Sequence, residues 1–288
     1  MTVTLITGCS SGVGRACAVH FARSGHRVYA SMREPGPDAA ELMAAHAGTA
    51  VELQVLRLDV DLRASVSEAV AQVLEREGRV DLVINCAGVT ADGPVEEAGE
   101  GLFRQAMETN FFGPLRVIQA VLPGMRERGS GAIVNISAIS GRMTFGGRGA
   151  YAASKYALEA MTEALALETA EFGVRVILIE PGFLATPFFS KSASPPGPYS
   201  PYAPQGTRHL RVLMRLLEEA SPPETVARAI EAALASGEQR LRYVVGDDAE
   251  MLFAGRSCMT DEEWLAAGRE MTLEQEEEFW REKFGFEL

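Results

Sequence analysis

The sequence predicts a doubly wound α/β fold, a parallel sheet with helices on both faces. Three observations carry this. Apolar strand-like runs alternate with helix-like segments as far as Pro181. The runs are near-continuous in Val, Ile and Leu, as suits strands buried on both faces. A glycine-rich turn, Thr7-Gly8-Cys9-Ser10-Ser11-Gly12-Val13-Gly14, joins the first run to the first helix.

Taken in order, Val3 to Thr7 reads as a strand and Val13 to Arg23 as a helix. Arg27 to Ser31 is the next strand, and a helix follows near Asp38 to His46. Val51 to Leu58 is a strand and Arg63 to Glu77 a helix. Asp81 to Asn85, Ala132 to Ser137 and Val174 to Glu180 are further strands, separated by long helical stretches over Glu100 to Glu127 and Ala150 to Phe172. Pro187 to Pro204 is rich in Pro, Ser, Gly and aromatics and reads as an irregular loop. Helices are predicted over Arg208 to Glu219 and, opened by Pro222 and Pro223, over Glu224 to Ala235. Leu241 to Val245 reads as a last strand, and two short helices close the chain. Thr260 with Glu263 and Thr272 with Gln275 fit capping boxes. The acidic run Glu274 to Glu278 reads as a solvated helix face. The expected organisation is one domain over residues 1–288, with a lid over 183–222 and a helical extension over 255–288.

Composition narrows the function classes. A net charge of −12 argues against nucleic acid and anionic membranes as partners. No apolar run is long enough to span a bilayer and no leader segment is visible, so a cytoplasmic protein is expected. The four cysteines form no CxxC pair and the four histidines lack ligand spacing, so no metal site is predicted.

Chemistry concentrates in a few places. Tyr151 and Lys155 stand four residues apart on a predicted helix and share one face. An ammonium beside a phenol favours the phenolate, so the pair reads as an acid/base device. The Gly-rich turn, with Ser10 and Ser11 as extra donors, suits a pyrophosphate at a helix N-terminus. Arg33 follows the second strand, where a guanidinium suits a 2′-phosphate, although Glu34 adjoins it. NADP(H) is the expected cofactor and NAD(H) the second choice.

In this order the motifs resemble those of the short-chain dehydrogenase/reductase family. The resemblance rests on the TGCSSGVG turn, Leu58-Asp59-Val60, Asn85-Cys86-Ala87-Gly88, the Tyr151/Lys155 pair and Pro181-Gly182, and covers about Thr2 to Thr186. Within the family, VYASMR, NFFG and the long C-terminal part are most similar to the 17β-hydroxysteroid and retinol dehydrogenases. It implies a Rossmann-type fold and a Tyr151 that exchanges a proton with a carbonyl or alcohol oxygen. Lys155 would hold the nicotinamide ribose and lower the pKa of Tyr151. Asn110 would help hold a water-linked proton path to Lys155. Gly8, Ser10, Ser11, Gly12, Val13 and Gly14 would cradle phosphate. Asp59 and Val60 would meet adenine, Asn85, Ala87 and Gly88 would support the central strand and pass close to the cofactor, and Pro181, Gly182 and Thr186 would line the nicotinamide. A homodimer through the long helices is implied as well.

One position departs from the family pattern. Counting back from Gly141 and from Tyr151 places the family's catalytic serine at Ala138. Ser137 would point to the opposite face of the strand, and Ser140 would reach the site only if the backbone stayed extended. Three explanations compete: a slow enzyme with another donor, a catalytically silent NADP(H)-binding or sensor protein, or an engineered replacement in an intact site. The third is favoured because every other motif is in place. Met143, Phe145, Phe183, Phe188 and Phe189 suggest an apolar pocket for a steroid-, polyketide- or similarly hydrophobic ketone, with Tyr199 and Tyr202 closing over it.

Overall fold

The computed structural model describes residues 1–47, 53–191 and 197–288. Seven parallel strands form one sheet in the order β3-β2-β1-β4-β5-β6-β7. They are β1 (Val3–Ile6), β2 (Arg27–Met32), β3 (Leu53–Arg57), β4 (Leu82–Asn85), β5 (Gly131–Ile136), β6 (Val174–Pro181) and β7 (Arg242–Val245). The helices are α1 (Gly12–Arg23), α2 (Pro37–His46), α3 (Arg63–Glu77), α4 (Glu100–Met107), α5 (Gly113–Arg128), α6 (Gly149–Thr169), α7 (Ala203–Glu218), α8 (Glu224–Ala235), α9 (Asp247–Ser257), α10 (Asp261–Ala266) and α11 (Leu273–Phe284).

Period-two alternation in the strands builds two apolar layers. On β6, Val174 and Val176 face one layer while Ile177 and Ile179 face the other. The first layer packs Phe21 of α1, Leu42 of α2 and Ile230 of α8 against the sheet. The second packs Val70 of α3 and Val117 of α5. The strand order reverses between β1 and β4, and this switch point opens a crevice beyond the strands' carboxyl ends.

Several expectations change. The start of the expected strand at Val51 lies outside the described residues, as do residues 192–196 of the expected loop. The stretch over Glu100 to Glu127 is not one helix: a five-residue π-turn, Glu108–Phe112, divides α4 from α5. Asn110 sits in that turn with its side chain hydrogen-bonded to a neighbouring loop. Helix α7 begins five residues before the predicted start at Arg208, with Pro204 in its first turn, where a missing N–H costs no helical bond. Three helices, not two, follow β7, because α9 starts directly from Gly246. The boundary expected at residue 255 therefore falls inside α9. Both capping boxes form.

Glu276 corrects the reading of the acidic run. It is buried and accepts from Arg211 on α7, because α11 lies against α7 and α9 and turns this carboxylate inward. The C-terminal helices thus belong to the main body. Trp280, Phe284 and Phe286 share a core with Ile139, Met143, Phe183, Val212 and Leu216.

Helices α9 and α11 meet at Gly255. A Cβ there would lie 2.3 Å from a Phe284 ring carbon and 2.6 Å from the Lys283 carbonyl oxygen. The carbonyl cannot move aside cheaply. Gly255→Ala is expected to destabilise the protein by about 1–3 kcal/mol, the usual cost of overpacking, read as a lower thermal unfolding midpoint.

Candidate active site

One end of the crevice is a phosphate cradle. Thr7 Oγ1 accepts from the backbone N–H groups of Cys86 and Ala87, each at 3.1 Å, and so ties the end of β1 to the end of β4. This brings the next residue, Gly8, close to Ala87. At φ +76° a Cβ on Gly8 would stand 2.7 Å from the Ala87 Cα. A Cβ on Gly14 would stand 2.2 Å from the Gly8 carbonyl oxygen. Only glycine permits this turn. Helix α1 starts behind it with no side-chain cap and no acid in its first turn. Its first N–H groups and positive dipole end are therefore available, and they fit the pyrophosphate of a dinucleotide.

Ser10, Ser11, Gly12, Val13, Asp59, Val60, Ala87, Gly88, Pro181, Gly182 and Thr186 all line the same cleft. Arg33 lines it and Glu34 does not, although the two are neighbours in sequence. Asn85 supports the central strand as expected but is a correction as a cofactor residue. It is buried away from the cleft, donating to Asn135 Oδ1 at 2.8 Å, while Asn135 donates to Thr162 Oγ1 at 2.9 Å. This amide chain joins β4, β5 and α6 beneath the site.

Helix α6 carries Tyr151 and Lys155 into the middle of the cleft, both nearly buried. Lys155 Nζ donates to the Ile136 carbonyl at 2.8 Å and lies 5.8 Å from the centroid of the Tyr151 ring. Burial pushes the Lys155 ammonium down to about 8, against smaller opposing effects of Cys86 and Glu159. Burial also pushes the Tyr151 phenol up to about 12. The cation that opposes this rise is Arg148, whose guanidinium lies 4.9 Å from the ring centroid. The lysine is committed to a backbone carbonyl, and desolvation dominates both groups.

Ala138 lines the cleft and packs in one small apolar cluster with Tyr151, Ala150, Ala91 and Ala106. Its backbone is extended, and the chain then enters a single 3₁₀ turn over Ile139–Gly141. Ser140 is thus already in the turn, though it still borders the cleft. Ser137 Oγ is buried without a hydrogen-bond partner, on the side of Gly141 and Glu159.

Asn110 is buried outside the cleft lining. Its Nδ2 donates to the Val89 carbonyl and to Ser154 Oγ, both at 2.9 Å, and its Oδ1 accepts from Val89 N–H at 2.8 Å. Both amide hydrogens are engaged, so the side chain clamps the loop after β4 to α6. A π-turn at such a position is a common feature of functional sites.

The far end of the cleft is apolar. Phe145, Phe183, Phe188 and Phe189 line it, with Phe188 tilted against the Tyr151 ring at 5.8 Å. Met143 is a correction: it is buried in the core behind the wall. Tyr202 borders the cleft, whereas Tyr199 is wholly exposed and takes no part. Sequence reasoning missed Asp92, Arg148, His209 and Trp280, which also line it. For Trp280 a signal existed in the aromatic spacing of Trp280 and Phe284 on α11. The Asp92–Arg148 contact had none.

The lowered proton affinity of Lys155 has a testable consequence for stability. Its proton is bound less tightly in the folded chain than in the unfolded one. Between about pH 8 and 10.5 the unfolded state therefore holds more protons, and folding stability rises with pH. Wild type is expected to gain up to about 3 kcal/mol relative to Lys155→Met between pH 7 and 10.5, measured by urea unfolding at each pH.

Comparisons with known proteins agree with this geometry. The family model described as short chain dehydrogenase matches residues 2–196. A 3-ketodihydrosphingosine reductase from Bacteroides thetaiotaomicron is 35% identical over 254 residues, covering 88% of this chain and 90% of the relative. The 17-beta-hydroxysteroid dehydrogenase type 1 of Mus musculus is 38% identical over 255 residues, covering 84% and 73%. A solved short-chain dehydrogenase from Streptomyces avermitilis superposes with a TM-score of 0.77 at 36% identity, covering 93% and 98%. An alcohol dehydrogenase from Thermococcus sibiricus, complexed with 5-hydroxy-NADP, has a TM-score of 0.71 at 25% identity, covering 85% and 95%. With its glycine cradle, its buried Tyr151–Lys155 pair and this span of shared sequence, the chain belongs to the short-chain dehydrogenase/reductase family of NAD(P)-dependent oxidoreductases acting on CH–OH and C=O groups.

Proposed function

We propose that this protein catalyses the NADPH-dependent reduction of a ketone, and the reverse alcohol oxidation, on a bulky apolar small molecule. The observation that carries this reading is the position of Tyr151. It lines one continuous cleft of about 1260 Å³ together with the glycine cradle and the aromatic end, and its ring meets Phe188. A bound nicotinamide dinucleotide supplies or accepts the hydride.

The chain's own residues do the rest. Tyr151 gives a proton to the carbonyl oxygen during reduction and takes one during oxidation. Lys155, held by Ile136 O, presents its ammonium to the ribose side of the cleft. Residues 183–191 and 197–222 act as a lid over the apolar end, with α7 as its rigid part. The relatives named for 3-ketodihydrosphingosine and for a 17β-hydroxysteroid are in keeping with an apolar substrate. Arg33 favours NADP(H) over NAD(H), since a guanidinium at the cleft suits a 2′-phosphate. The reading includes a homodimer formed through α5 and α6, where Phe112 and Leu167 are exposed beside or on these helices. It also includes a reducing, cytoplasmic setting, which suits four free cysteines.

Two measurements test it. NADPH consumption with a panel of bulky ketones is expected to be slow in this chain and to rise about 10²–10³-fold in Ala138→Ser, the usual worth of one donor to a developing oxyanion. Tyr151→Phe is expected to abolish turnover in both backgrounds. Flat turnover in the Ala138→Ser protein overturns the role given to position 138. Separately, Arg33→Ala is expected to raise the KM for NADPH about tenfold or more while leaving that for NADH nearly unchanged. Equal effects on the two cofactors would remove Arg33 from the specificity site.

A further inference from the structure

Arg148 and Asp92 come from distant parts of the chain and meet beside Tyr151. Arg148 is the residue before α6, one turn ahead of Tyr151, and Asp92 lies in the loop after β4. Arg148 Nη1 stands 2.9 Å from Asp92 Oδ1, and both side chains are only 16% exposed. Thr90 Oγ1 donates to Asp92 Oδ2 at 2.9 Å. Backbone bonds tie the two loops together, since Gly93 N–H donates to the Gly147 carbonyl at 2.7 Å. The guanidinium lies 4.9 Å from the Tyr151 ring centroid and 5.5 Å from that of Phe189. It is thus held by an ion pair and by two aromatic rings, one on α6 and one on the segment that opens the lid. A buried ion pair contributes little to stability by itself, so its place against the phenol calls for another account.

We propose that Arg148 and Asp92 are paired positioning residues for Tyr151, Arg148 favouring the phenolate and Asp92 the phenol, so that this pair, acting beside Lys155, helps to set the pH at which Tyr151 can exchange its proton. The inference deepens the reductase reading and rests on it only for the kinetic arm below. A cation about 5 Å from the centroid of a buried phenol ring favours the ionised form, and a carboxylate in contact with that cation offsets part of the effect. Both signs appear at Tyr151, where Arg148 lowers and Asp92 raises the proton affinity set mainly by burial. The other titratable groups in this part of the cleft are Lys155 on the same helix, Cys86 at the end of β4, His209 on α7, Glu96 at the rim and Tyr202, whose hydroxyl donates to Glu96. The variants below change none of these. With alanine at 138, no hydroxyl at that position shares in tuning the phenol.

The test exploits the opposed signs. The full-length protein carrying ¹³Cζ-labelled tyrosine is titrated by NMR between pH 7 and 11, with Tyr151→Phe identifying the resonance. Asp92→Asn is expected to bring the onset of Tyr151 ionisation down by about one pH unit. Arg148→Met is expected to push it up by about one unit or more, so that no ionisation is seen by pH 11, and Arg148→Lys, which keeps the charge, stays near wild type. The pH profile of kcat/KM for alcohol oxidation is expected to move the same way in each variant. A merely structural pair would shift stability alike in both variants and leave the titration in place. Onsets that stay put, or move in one direction for both Asp92→Asn and Arg148→Met, overturn the proposal. The NMR arm needs no turnover, so a failure of the reductase reading would show as inactive wild type while the titration still decides this pair.

Discussion

Removal of Tyr151 and Lys155 from water is the constraint on which the site depends. A phenol and an ammonium sit side by side on one face of α6 against the end of β5, and desolvation moves their proton affinities in opposite directions. The hydrogen bond from Lys155 to Ile136 O makes that burial tolerable and fixes the helix against the strand. Asn110 and Ser154 keep that geometry: Asn110 donates to the Val89 carbonyl in the loop after β4 and to Ser154 Oγ, and Ser154 donates to the Tyr151 carbonyl.

The sheet serves the same end at the cofactor side. Thr7 fastens the end of β1 to that of β4, and the glycine turn can then follow the Ala87 backbone closely enough to leave α1's first N–H groups open to the crevice. The C-terminal helices serve it at the substrate side. They bring Trp280 to the wall and bury Glu276 against Arg211, so that α7 rests on a firm base. A change far from the cleft, such as at the α9–α11 contact, is thus linked to the cleft through packing alone.

Much of this was legible in the chain. Arg63–Glu77 and Glu224–Ala235 form as helices over the residues their apolar spacing indicates, and the strands fall where Val, Ile and Leu run together. The failures have physical causes. The helix over 100–127 breaks at Asn110 because a side chain there bonds to a loop that is remote in sequence. Asn85 and Met143 sit beside cleft residues in sequence but point into neighbouring layers. Glu276 lies in an acidic run that composition marks as solvated, yet an arginine of another helix draws it inward.

By itself the sequence determined the order of elements, the glycine cradle and the spacing of Tyr151 and Lys155, because periodicity, turn chemistry and helical pitch act over a few residues at a time. Tertiary structure alone decided which charges surround the phenol and which aromatic rings close the far end of the cleft. Asp92 reaches Arg148, and Trp280 reaches Phe145, only after the β4 loop, the lid and the last helix have packed together. Contacts of that kind follow from the closure of long loops, and no local pattern encodes them.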